Sequence, residues 1–209
     1  MHSKTIGATF VLVLDTDNKT ASTDQMEIDT PTDVEGVNHM LSDKIKDLIN
    51  NQVNKELYSA YLYLGFSTWF EDEGLSGFAN WYRIQAQEER DHAMLFFKYL
   101  QNNGIRPELG AIECPNQEFD KAIDVLKAGM NHELYVTSLV NTIYDAAFEA
   151  KDYRTMQFLD WFIKEQGEEE MNADDLIKKW NLFGADPKAL YELDASLAAR
   201  VYSAPSLVI

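Results

Sequence analysis

Residues 54–64 read Asn-Lys-Glu-Leu-Tyr-Ser-Ala-Tyr-Leu-Tyr-Leu, and residues 131–135 return to the same words as Asn-His-Glu-Leu-Tyr. Each stretch lies in a long segment with helical apolar periodicity, and in each the glutamate falls on the face that should turn inward. Around Glu56 that face is Ile45, Ile49, Gln52, Glu56, Ala60, Tyr63, Ser67 and Phe70, apolar at both ends and polar in the middle. A second segment repeats the pattern with Phe78, Trp81, Gln85, Glu89, His92, Phe96 and Tyr99. A third offers Leu126, Glu133, Val140 and Tyr144, and a fourth Leu159, Phe162, Gln166, Glu169, Ala173 and Ile177.

Burying one unpaired carboxylate is costly, and several together repel one another as well. No lysine or arginine shares these stripes. A bound multivalent cation removes the difficulty. The spacing agrees: Glu89 follows Glu56 by 33 residues, and Gln166 follows Glu133 by 33. Three positions after each second member stands another ligand type, His92 in one half and Glu169 in the other. At about 1.5 Å of rise per residue, equal spacing in two antiparallel hairpins sets all four positions at one depth.

The segments are delimited by ordinary punctuation. Helices are expected over about 42–71, 76–103, 117–150 and 153–181, with a short fifth from Pro187 to about Tyr202. Ser42 is a candidate N-cap, and Gly74 and Gly104 mark stops. Pro107, Gly110 and Pro115 exclude one helix over 105–116. Short first and third links make each helix pair antiparallel, and the dozen-residue middle link is long enough to cross a bundle. The expected fold is all-α: a four-helix bundle with one long crossover between its second and third helices and a short fifth helix.

The 209 residues suit one domain of this kind, over 40–209. Residues 1–39 differ: two lysines face seven acids, and helical periodicity is missing. They are expected to form a flexible extension or leader. Their start has one lysine and a short apolar run, weakly like a signal peptide, without a clear small-x-small cleavage site. The run Ile6–Leu14 is about half a membrane span. The net charge of −17 and pI near 4.5 argue against nucleic acid or an anionic membrane as partner and favour attraction of cations. Cys114 is the only cysteine, so no intrachain disulfide or cysteine-based metal knuckle forms, and a reducing, cytoplasmic setting is expected.

Taken together, N-K-E-L-Y-S-A-Y-L-Y-L, A-Q-E-E-R-D-H-A at 86–93, N-H-E-L-Y and W-F-I-K-E-Q-G-E-E-E at 161–170 resemble the ferritins, and most closely the bacterial non-haem type, over about 40–202. In ferritin-like di-iron proteins a Glu comes from each of two helices and a Glu-x-x-His from each of the others. The resemblance implies a homo-oligomer, a hollow cage of twenty-four subunits that oxidises Fe(II) with O2 or peroxide and stores ferric mineral. It implies a first iron site of Glu56, Glu89 and His92, with Glu89 bridging to a second site of Glu133 and Glu169, and Gln166 nearby. Tyr63 matches a family tyrosine beside the centre. Glu88, Glu165, Glu168 and Glu169 resemble a third iron site.

One departure stands out. The fourth helix carries Gln166-x-x-Glu169 in place of Glu-x-x-His, so the second iron lacks an imidazole. Carboxylate and imidazole donors suit iron, and Zn(II) as a surrogate. Haem is not expected, because Met94, Met130, Met156 and Met171 sit in no recognisable bacterioferritin context. The alternatives are a di-iron oxidoreductase with a fixed cofactor and a peroxide-scavenging mini-ferritin-like protein, neither storing iron in bulk. His132, beside Glu133 but off the inward face, is expected at the surface or an interface.

Overall fold

The computed structural model of the protein describes residues 41–209, so the expected leader lies outside the described residues. Five helices make up its regular structure: α1 (Asp43–Asp72), α2 (Ser76–Asn102), α3 (Ala122–Glu149), α4 (Tyr153–Phe183) and α5 (Pro187–Leu197). No strand occurs among the described residues. No helix among them is long and apolar enough to cross a membrane.

Local chemistry sets most of the ends. Ser42 caps α1, its Oγ accepting from the Ile45 amide at 3.3 Å. Gly74 and Gly104, at φ 75° and 72°, take the left-handed conformation that ends α1 and α2. Asp152 caps α4 through the Thr155 amide (3.1 Å), and Asp186 caps α5 through the Ala189 amide (2.8 Å). The first turn of α2 has no local side-chain cap; Asp194 of α5 supplies one, its Oδ1 accepting from the Phe78 amide at 3.0 Å. Gly77 permits that approach, since a Cβ there would lie 1.7 Å from the Asp194 carbonyl oxygen.

The crossover between α2 and α3 is fastened along α1. Asn50 exchanges two hydrogen bonds with the backbone of Glu108, at 2.8 and 2.9 Å. Asn54 accepts from the Gly110 amide at 3.2 Å, and the Trp69 indole donates to the Phe119 carbonyl at 3.1 Å. These contacts explain two corrections to the expected boundaries. α3 starts at Ala122 and not near 117, because Asn116 turns back on the amide and carbonyl of Glu118 and Trp69 holds Phe119. α5 stops at Leu197 and not near 202, because residues 198–209 run back along α2 and α4.

Two apolar clusters fill the bundle. One gathers Ile45, Ile49, Val53, Phe96, Leu100, Val140, Phe158 and Phe162. The other gathers Tyr63, Phe66, Phe70, Phe78, Tyr82, Leu126 and Leu176. Each large apolar side chain contributes about 1.5–3 kcal/mol on burial. Between the clusters lies a buried polar belt of Gln52, Glu56, Gln85, Glu89, His92, Glu133, Gln166 and Glu169.

Candidate metal centre

The belt forms because each helix carries one apolar stripe with polar residues at its middle, and the two hairpins bring those middles to one level. Glu56 comes from α1, Glu89 and His92 from α2, Glu133 from α3, and Gln166 and Glu169 from α4. Glu56, Glu89 and His92 are all buried, and each offers a ligand atom within 4.8 Å of the other two.

Each carboxylate of this group is held at one oxygen. Gln52 Nε2 donates to Glu56 Oε1 at 2.8 Å, and Gln85 Nε2 donates to Glu89 Oε1 at 3.0 Å. Glu89 Oε2 stands 3.6 Å from His92 Nδ1. Glu56 Oε2 is buried and has no hydrogen-bond partner. An open carboxylate oxygen beside a second carboxylate and an imidazole is what a divalent cation requires, and it is otherwise expensive to bury.

On the other side, the Tyr63 hydroxyl donates to Glu133 Oε1. Gln166 Nε2 lies 3.3 Å from Glu133 Oε2, the Glu133 carbonyl oxygen and Thr137 Oγ1. Gln166 therefore presents its amide nitrogen to Glu133, which orients that carboxylate. Tyr63 packs in a stack with Tyr82, ring centres 5.6 Å apart.

The electrostatics follow from crowding. Burial, and then the charge of Glu89, raises Glu56 and Glu169 each from about 4.5 to about 8. Burial and the charges of Glu89 and Glu169 push Glu133 well above the carboxylate range. For His92, burial favours the neutral ring. The hydrogen bond and charge of Glu89, aided by Glu56 and Glu169, overcome it and raise its pKa to about 10. Glu89 shows the mirror balance: burial opposes ionisation, but His92, Gln85 and Glu56 together hold its pKa below the usual value.

The four residues resembling a third site line one cleft of about 260 Å³ with His92 and Arg200. Glu88 is paired with Arg200, and Glu165 Oε1 is 4.0 Å from His92 Nε2. His132, expected at the surface or an interface, is half-buried, 2.8 Å from Ser59 Oγ and edge-on to Tyr63 at 5.7 Å. Burial lowers its pKa. Sequence reading also gave no role to Gln52 and Gln85, although each stands four residues before its glutamate, one helical turn away. That repeated Gln-x-x-x-Glu was the available signal.

A four-helix bundle with a crossover, a short fifth helix and a buried carboxylate–imidazole belt defines a class of metal-binding bundle proteins. The sequence profile of the ferritin-like domain matches residues 46–183. A probable bacterial non-heme ferritin-like protein of Haemophilus influenzae is 37% identical over 158 residues, spanning 76% of this chain and 96% of the relative. A bacterial non-heme ferritin of Campylobacter jejuni is 36% identical over 155 residues, 74% of this chain and 93% of the relative. Among solved structures, an Archaeoglobus fulgidus ferritin engineered into a closed form superposes with a TM-score of 0.76 at 40% identity. That match covers 78% of this chain and 99% of that one. The chain belongs to the ferritin family.

Proposed function

We propose that the protein oxidises Fe(II) at a two-metal centre within each subunit and stores the ferric product in a closed homo-oligomeric cage. One observation carries the reading: three buried donors lie within 4.8 Å of one another, and Glu56 Oε2 is left unpartnered among them. The names of the relatives support iron as the metal.

In this reading iron is the substrate. Glu56, Glu89 and His92 hold one Fe(II), and Glu89, Glu133 and Glu169 the other, with Gln166 and Tyr63 orienting Glu133. Each Fe(II) gives one electron to dioxygen or peroxide, and Fe(III), the harder ion, is still better matched by carboxylates. Glu56, Glu169 and His92 carry protons at neutral pH in the metal-free protein, so cation binding releases them. The second position lacks an imidazole, which suits iron that passes through the centre.

Aerobic loading tests this. Fe(II) is added far beyond the capacity of the proposed sites, and the sample is run on a sizing column with iron and protein detection. Iron should co-elute with a very large assembly, and Glu89→Ala should lose fast oxidation. Iron held only at site stoichiometry, or precipitated beside a small oligomer, would sink storage and favour a di-iron enzyme with a fixed cofactor.

A further inference from the structure

The chain beyond α5 does not trail away; it is fastened over the opening of the acidic belt. Asn80 Nδ2 donates toward the carbonyls of Leu197, Ala198 and Arg200 at 3.4, 3.4 and 3.1 Å. The Tyr202 hydroxyl donates to Asp91 Oδ2, and the Trp161 indole donates to Ser206 Oγ at 3.0 Å. At the centre of this strap sits Arg200. Its guanidinium lies 4.0 Å over the Trp81 ring, and Nη1 donates to the Trp81 carbonyl oxygen and Gln85 Oε1, both at 3.1 Å. Nη2 pairs with Glu88 Oε2 at 2.5 Å, and both side chains are only 16% exposed.

This arrangement has two chemical consequences. Arg200 has only donors, so its bond to Gln85 Oε1 turns the Gln85 amide nitrogen toward Glu89. The same guanidinium supplies an always-charged cation in a cleft walled by Glu88, Glu165, Glu168 and Glu169, with His92 at its inner side. A planar, always-charged fork that also stacks on an indole is not readily replaced by water.

We propose that Arg200 is a tethered cation that claims Glu88 for the C-terminal strap, so that a metal ion binds among Glu88, Glu165 and Glu168 only by displacing it. This deepens the reading of the metal centre given above and rests on it. The chain thereby separates its acids into a belt open to metal and an adjoining cluster already supplied with a counter-charge. Charge-assisted hydrogen bonds of this kind make displacement cost about ten- to a hundredfold in affinity.

Zn(II) titration of the intact assembly, read by calorimetry and by equilibrium dialysis with metal analysis, tests this without any oxidation step. Two Zn(II) per subunit should bind tightly in the wild type, with a third step about tenfold weaker or more. Arg200→Gln should tighten the third step by about that factor, and Glu88→Gln should remove it, alone or combined with Arg200→Gln. An unchanged third step in Arg200→Gln overturns the proposal. Wild-type crystals soaked in excess Zn(II) give a variant-free check. Anomalous density on Glu88 should coincide with a displaced Arg200; metal on Glu88 with the ion pair intact overturns the proposal. Glu56→Gln separates the two readings, because if it leaves the tight steps unchanged, the metal centre itself has been misplaced.

Discussion

Glu56 shows what the site costs at the scale of a residue. Its carboxyl is fully buried, half-satisfied by Gln52, and raised to about 8. A carboxyl raised on folding stabilises the fold fully below its unfolded value near 4.5, and that contribution is lost as pH climbs through about 8. Glu169 behaves the same way, and His92, raised to about 10, loses its contribution in the same direction as pH climbs further. The metal-free protein should therefore melt at progressively lower temperature between pH 5 and 9, and Zn(II) should abolish most of that slope. Glu56→Gln should stabilise the metal-free protein at pH 9 by on the order of a few kcal/mol while removing much of the gain from metal. A metal-free melting temperature that rises over this range would contradict the assigned burial. Tyr63→Phe deletes the donor to Glu133 and leaves the ring packing on Tyr82 intact. It should slow Fe(II) oxidation about tenfold, through a loosened Glu133, with metal stoichiometry unchanged; stopped-flow oxidation beside Zn(II) titration distinguishes these.

Among the helices, the sequence was most readable where chemistry is periodic. The 3.6-residue stripe and the 33-residue repeat are enough to place Glu56, Glu89, His92, Glu133, Gln166 and Glu169 on the inward faces of four helices. The caps Ser42 and Gly74 were equally local. What escaped was set by partners far along the chain. Nothing near residue 117 reveals that Trp69 will hold Phe119, and nothing near Arg200 reveals Glu88, 112 positions earlier. The contact of His132 with Ser59 escaped for the same reason, since Ser59 lies on another helix. The close seat of α5 on α2 gives this scale its own test. Gly77→Ala places a methyl against the Asp194 backbone, and should cost about 1–3 kcal/mol and lower the melting temperature by several degrees. Calorimetry showing no loss would mean that α5 sits elsewhere.

For the whole molecule, charge is the dominant fact. At −17 per chain, the protein draws cations from solution, and clefts lined by one sign raise their local concentration. The initial rate of Fe(II) capture should fall severalfold as ionic strength rises from about 0.01 to 0.15 M, where screening shortens from about 30 to 8 Å. Capture indifferent to salt would place entry away from the acidic surface.

The cap that α5 lends to α2 also bears on how the protein is made. Ribosomes deliver α2 early, yet the acceptor for its Phe78 amide, Asp194, is translated 116 residues later. A nascent chain therefore carries the helix that bears Glu89 and His92 with a frayed beginning until α5 has been made. The last turn of α5 closes the first turn of α2, so that side of the candidate metal centre has a fully wound wall only once α5 has been translated.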